Sequence, residues 1–406
     1  MNVIFIDPGF PDNQRHFVRA LHGIGARVIG IGDRPSDWLD GELKSWLAGY
    51  EQVGSVTDEN ALYDAVRRIQ AREWVDRLEA TIETHILPVA KVREACTIPG
   101  ISARTAYLCR DKVAMKAVLR ETGVPTAASA AVSSADEAWT FAEGAGFPLI
   151  LKPRAAAGAS GTYRANGPEE LARVLELTGI AHGAPAAIEE FVEGHEGFYD
   201  TLTIDGRVAI DFISHYYPNV LDAMRTRWIS PQIVATNQMD APGYAEVKAM
   251  GRQVIEALGI TTAATHMEWF FGPRGLRFSE IGCRPPGVGH WDVYCAANEF
   301  DLFREWALAV CHGHTGQPPS RRYACGMIAL RPDRDAQIAG YDGTGEIWQR
   351  FGEWIVADHF PPPGTPTQPV EAGYMANAWL RLRHPDYDEL RQILNTVGET
   401  LQVRAH

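Results

Sequence analysis

Short apolar runs alternate with amphipathic stretches along the first quarter of the chain. Residues 3–7 read Val-Ile-Phe-Ile-Asp and meet Pro8-Gly9, the mark of a short buried strand. Positions 13–24 carry a helical pattern, and 27–31 form a second apolar run. Strand, helix, strand at this spacing predicts a βαβ unit with a parallel sheet, the opening of a doubly wound domain. Helical patterns continue through 60–80 and 84–96. No G-x-G-x-x-G follows the first strand, so the dinucleotide fingerprint is absent.

The pattern changes after residue 105. Asp111 caps a helix with Met115, Val118, Leu119 and Thr122 at helical spacing, stopped by Gly123 and Pro125. A capping box at 134–137 opens a second helix. Strands are expected at 147–152, 162–165 and 186–192, with a helix at 168–177 between the last two. Residues 154–161 are small and glycine-bearing. Two longer strands, 198–204 and 207–217, flank Asp205-Gly206, a strong type I′ hairpin signal. Residues 218–243 lack a period and are expected to form a loop or lid. A helix at 244–258 precedes two strands, 265–271 and 276–281. After Pro318-Pro319 a further unit begins, with a strand at 325–330 and a helix near 387–397. The resulting division is an α/β unit over 1–105, a central domain over 106–320 with a subdomain at about 126–192, and a C-terminal α+β unit over 321–406.

Composition narrows the function classes. The 406 residues carry a formal net charge of −13, against the basic footprint of a nucleic-acid binder. No apolar run reaches the ~18 residues of a membrane span, and the first ten residues lack the basic flank of a signal peptide. Six scattered cysteines show no C-x-x-C spacing, which suits a reducing cytoplasm. Lysine is scarce: only Lys44, Lys91, Lys112, Lys116, Lys152 and Lys248 occur. Each lysine therefore reads less readily as a random surface charge.

The candidate chemistry starts with Glu268 and Glu280, on the two strands predicted at 265–271 and 276–281. With an odd connection they fall opposite each other and share a face. Two facing carboxylates repel unless a cation lies between them, and a hard divalent ion with phosphate co-ligands suits them, Mg²⁺ best. Two solvated glutamates on an exposed hairpin fit the spacing equally well. Lys152 ends an apolar strand and leads into a loop bearing Gly158, Ser160 and Gly161. A lysine beside free backbone N–H groups is one way to hold polyphosphate; a surface lysine beside an ordinary turn is the other reading. Lys112 follows the same logic. The apolar run 186–192 ends in Glu189-Glu190-Phe191-Val192, with Glu196 close behind. It can offer backbone to an adenine edge and a carboxylate to a ribose, or simply be a solvated strand end.

In order and spacing, these pieces resemble the ATP-grasp superfamily, in particular its carboxylate–amine ligase branch that joins amino acids. The pieces are Asp111-Lys112, Leu151-Lys152-Pro153 with its small-residue loop, Glu189 to Val192 with Glu196, His266-x-Glu268, and Glu280-Ile-Gly-Cys-Arg284. The resemblance covers roughly residues 1–320. It implies a pre-ATP-grasp α/β domain, then an ATP-grasp fold with a lid and an antiparallel-sheet core, then a small C-terminal α+β unit. By the resemblance, Lys112 and Lys152 contact ATP phosphates, together with the loop of Gly158, Ser160 and Gly161. Glu189, Glu190, Phe191 and Val192 hold adenine, Glu196 the ribose, and Glu268 and Glu280 bind Mg²⁺, for which Mn²⁺ can substitute. Arg284 steadies the transferred phosphoryl group. One departure stands out, since Gly282 occupies a position where the family usually has Asn.

The implied activity is an ATP-dependent ligase joining a small-molecule carboxylate to an amine through an acyl phosphate, as a cytoplasmic homodimer. Two other readings stay open. One is a different ATP-grasp chemistry, either carboxylation or phosphoryl transfer; the other is a catalytically weak nucleotide-binding regulator. Candidates for the substrate pocket, by position, are His215, Arg225, Arg227, Trp269 and His290. Arg225 and Arg227 form a possible bidentate clamp for a carboxylate. Packing aromatics and surface arginines fit each of them as well.

Overall fold

In the computed structural model, which describes residues 1–155 and 161–406, the N-terminal unit is built on four strands. They are β1 (Asn2–Ile6), β2 (Arg27–Gly32), β3 (Leu47–Gln52) and β4 (Arg77–Glu79). They form a parallel sheet in the order β3-β2-β1-β4. Val3 to Phe5 are wholly buried, as a parallel strand covered on both faces requires. The order reverses between β1 and β4. Pro11, Asn13, Gln14 and Thr81 to Glu83, from the loops at these strand ends, line the molecule's main cavity. This is where an open α/β sheet places a binding crevice. The helix expected through residue 80 ends at Gln70, because 77–79 are drawn into the sheet as β4. The polar strand β3 has no clear alternation and went unpredicted.

The lid is a second small sheet. Its strands are β5 (Ser129–Val132), β6 (Leu149–Lys152), β7 (Tyr163–Ala165) and β8 (Ala186–Glu190), ordered β5-β8-β6-β7. Helices Ala135–Ala145 and Pro168–Leu177 pack on it through their own apolar cluster.

The core is one long sheet. It holds β9 (His195–Ile204), β10 (Arg207–Tyr217), β11 (Gln232–Ala235), β12 (Ala263–Gly272), β13 (Gly275–Gly282) and β14 (Ala324–Leu330). Strand β15 (Ile338–Asp342) leaves to pair with β18 (Gln402–Ala405), while β16 (Ile355–His359) and β17 (Ala378–His384) return to the core. The order is β13-β12-β9-β10-β11-β14-β17-β16. At the β9–β10 turn Asp205 and Gly206 take φ of 48° and 77°, the positive pair a type I′ turn needs.

Two further findings differ from the sequence reading. The stretch 218–243, expected as a loop or lid, contains the helical turn Val220–Ala223 and the fully buried strand β11. Four apolar or amide residues are too few to show a period. Strands β14, β16 and β17, from the stretch after residue 321, extend the core sheet rather than forming a sheet of their own.

Candidate active site

The lid, the core sheet and the N-terminal crevice enclose a cavity of about 760 Å³. Its floor is one face of the core sheet. On β9, alternation sends Glu196 and Phe198 to this face, and β12 brings His266 and Glu268 beside them, with Glu268 aligned to Phe198. On the other side of β12, Glu268 is the register partner of Glu280. The two glutamates do face each other, but not through the odd connection that spacing alone required: the connection is even, and a bulge between Glu268 and Trp269 shifts the register by one.

Three lysines converge on the same cavity. Lys112 opens the helix Lys112–Glu121, whose N-cap Asp111 accepts from the N–H groups of Val113 and Ala114. Lys112 Nζ lies 3.1 Å from Glu280 Oε2. One turn later Lys116 points the same way, 2.7 Å from Glu189 Oε1. Lys152, at the end of β6, reaches the other oxygen of Glu189 at 2.9 Å. Burial alone would raise the Glu189 carboxyl, but the two ammonium groups outweigh it and hold it down at about 2. Burial pushes the Lys116 ammonium down to about 8, against the pull of Glu189. Burial, then the charge of Glu268, raises the Glu196 carboxyl to about 8.

A buried polar chain lies under Glu268. His266 Nδ1 is 2.8 Å from Asp200 Oδ1, and His266 Nε2 is 3.5 Å from Glu268 Oε1. Tyr294 donates its hydroxyl to Asp200 Oδ2 at 2.6 Å. Burial opposes a charged imidazole here, yet Asp200 and Glu268 carry His266 up to about 9. Arg284 follows β13 and donates Nε to Glu83 Oε2 at 2.8 Å.

The structure sorts the remaining candidates. Glu190, Phe191, Val192 and Glu196 line the cavity; Glu190 pairs with Arg274 at 3.0 Å, and the Arg164 guanidinium stacks 4.0 Å above the Phe191 ring. Gly161 takes a φ of +66°, while Gly158 and Ser160 lie outside the described residues. His290 also lines the cavity, with Nε2 2.8 Å from Ser214 Oγ. Arg225 lines the cavity and donates to the lid at Thr162 O, 2.6 Å. Arg227 does not join it: it pairs with Asp335 at 2.6 Å, so the two arginines form no clamp in this structure.

His215 and Trp269 are not among the cavity-lining residues either. Both are buried on the opposite face of the core sheet, where His215 bridges His195 and Tyr244 at 2.9 and 2.8 Å. The strand period puts them there, since 215 and 269 are odd-numbered neighbours of cavity-facing 216 and 268. Sequence reasoning missed Lys116, Asp200 and Glu83. Lysine scarcity was the available signal for Lys116; for Glu83, whose partner is 201 positions away, there was none.

Against known proteins, the sequence model of the ATP-grasp domain matches residues 117–300. Over that stretch the chain is similar to the ATP-grasp domain. The matched region holds the lid, β9 to β13 and both facing glutamates. An L-arginine-specific L-amino acid ligase of Bacillus subtilis is 28% identical over 250 residues, 60% of this chain and 60% of that protein. The chain thus spans about three fifths of that relative's length. Among solved structures, an L-amino acid ligase from Bacillus licheniformis superposes with a TM-score of 0.78 at 18% identity, covering 100% of this chain and 98% of that one. An N5-carboxyaminoimidazole synthetase from Staphylococcus aureus complexed with ADP gives 0.71 at 15% identity, covering 98% and 96%. At such identities these two likenesses show a shared fold over nearly the whole chain and nothing more. No helix among the described residues is long and apolar enough to cross a membrane.

Proposed function

We propose that this protein is an ATP- and Mg²⁺-dependent ligase that joins a carboxylate to an amine. One observation carries the reading: Glu268 and Glu280 face each other in a cavity that also collects Lys112, Lys116, Lys152 and Arg284. Similarity to amino acid ligases supports the choice of reaction.

In this reading the nucleotide lies between lid and core. Phe191 and Val192 flank the adenine, Glu196 meets the ribose, and Lys112 and Lys152 meet the phosphates. Glu189 keeps both Lys116 and Lys152 charged and aimed inward. Hard carboxylate oxygens on neighbouring strands suit Mg²⁺ or Mn²⁺, which Glu268 and Glu280 would hold. The metal supplies charge neutralisation to the phosphates when bound.

A substrate carboxylate oxygen attacks the γ-phosphorus, the bond to the β–γ bridging oxygen breaks, and ADP leaves. An amine nitrogen then attacks the acyl carbon; phosphate leaves and the nitrogen gives up a proton. Arg284 stabilises charge on the phosphoryl group in both steps. Lid closure excludes the water that would hydrolyse the acyl phosphate. The homodimer implied by the family resemblance belongs to this reading and is checked by sedimentation.

The test is ADP release with Mg²⁺ and ATP over a matrix of carboxylic and amino acids, with products identified by mass. Amine-dependent release of a product one water lighter than its two substrates supports the ligase. Release that ignores amines moves the assignment to phosphorylation or carboxylation. ATP binding without release moves it to the regulatory reading.

A further inference from the structure

Strand β13 sends residues 280 and 282 to one face, and at 282 that face carries no side chain. The space is nevertheless filled. A Cβ built on Gly282 would lie 3.1 Å from Oε2 of Glu83, tighter than ordinary carbon–oxygen contact. Glu83 comes from the other end of the site. It is the first residue of the helix Glu83–Ala95, at the end of the crevice that follows β4.

The Glu83 carboxylate is committed to Arg284. Oε2 accepts from Arg284 Nε at 2.8 Å, and Arg284 Nη1 donates to Pro285 O at 2.8 Å. These two bonds fix the plane of the guanidinium, a rigid fork of five donors. Among the described residues Nη2 meets no acceptor, which leaves that edge of the fork for a ligand. Glu83 is itself braced, since Arg110 Nη1 donates to its carbonyl at 2.8 Å and approaches Oε1 at 3.4 Å. Burial works against a charged guanidinium here, and Glu83 is the nearest compensating charge.

We infer that Glu83 is the positioning residue for Arg284, and that position 282 is bare because Glu83 occupies its side-chain space. The N-terminal unit thereby sets the aim of a cation in the region similar to the ATP-grasp domain. The inference rests on the ligase reading only for what Arg284 does in the reaction. The exchange between positions 83 and 282 stands on geometry alone.

The experiment uses four variants of the full chain: Glu83→Gln, Glu83→Ala, Gly282→Asn and the double Glu83→Ala/Gly282→Asn. ADP release at saturating ATP is measured with the KM for ATP, and thermal midpoints are taken without nucleotide. Glu83→Ala is expected to lower kcat at least tenfold while KM for ATP stays within about threefold. Glu83→Gln, which keeps an acceptor for Nε, is expected to retain most of the rate. Gly282→Asn alone is expected to lower the midpoint by crowding Glu83, and the double variant to recover part of that loss.

A Glu83→Ala protein with unchanged kcat overturns the positioning role. Midpoint losses that simply add in the double variant overturn the exchange. If the unsubstituted protein releases no ADP with any amine, the ligase reading fails, and the 83–282 coupling is still decided by the midpoints.

Discussion

Replacing Glu189 by glutamine removes the anion that Lys116 and Lys152 share. Glu189 is 4% exposed and Lys116 1%, so solvent cannot take over the compensation. Lowering the carboxyl from its ordinary 4.5 to about 2 corresponds to about 3 kcal/mol of native-state stabilisation at neutral pH, at ~1.4 kcal/mol per tenfold. That agrees with the ~3–5 kcal/mol typical of breaking a buried pair by removing one partner.

The sign is fixed by linkage. The native carboxyl is the more acidic one, so its contribution is complete above pH 4.5 and disappears as pH falls toward 2. Urea unfolding at pH 7 should place Glu189→Gln about 3 kcal/mol below the unsubstituted protein with an unchanged m-value. The gap should narrow steadily between pH 4.5 and 3. Polyphosphate brings the missing negative charge, so an ATP analogue should raise the variant's midpoint more than the parent's. A loss under 1 kcal/mol at pH 7, or a gap that does not narrow in acid, would refute the charge argument.

Glu280→Gln should cut ADP release by at least ~100-fold and weaken Mn²⁺ binding measured by paramagnetic resonance, because one of two hard ligands becomes a neutral amide. Gly251→Ala should cost about 1–3 kcal/mol by urea unfolding, since the new methyl overlaps the buried Tyr199 ring. Trp228→Ala, at a side chain 87% exposed, should leave stability within ~0.5 kcal/mol.

The sequence was most informative where local chemistry and burial agree. The first two parallel strands, β1 and β2, are continuous apolar runs, and the Asp205-Gly206 turn is demanded by its own φ angles. The Glu268–Glu280 pairing did not follow from alternation alone, since a bulge between Glu268 and Trp269 shifts the register by one residue. Strands β3, β5 and β11 were missed because each takes its strand character from its neighbours in the sheet rather than from its own pattern. His215 and Trp269 were misplaced for a related reason: nearness in sequence to the site says nothing about which face of the sheet a residue occupies. Glu83 was illegible because its role exists only once a helix from the N-terminal unit packs beside β13.

The charge pairing of the cavity also couples metal binding to nucleotide binding. In the absence of ligand each cation already has a carboxylate: Lys112 has Glu280, Lys116 and Lys152 share Glu189, and Arg284 has Glu83. Glu280 is therefore partly neutralised before any metal arrives. No group of three histidine, cysteine or acidic side chains among the described residues is placed to hold a metal ion. A divalent ion alone would compete with Lys112 for Glu280 and would find only Glu268 beside it. When phosphates enter, they offer Lys112 a new partner and bring oxygens to the metal, so both obstacles are removed together. Metal and nucleotide should thus bind cooperatively, each raising the other's affinity by the same factor. Mn²⁺ titrations followed by paramagnetic resonance should show weak binding to the protein alone and binding at least tenfold tighter with a non-hydrolysable ATP analogue, beyond what the analogue binds in buffer. Equally tight Mn²⁺ binding without nucleotide would show that the Lys112–Glu280 pair does not guard the site.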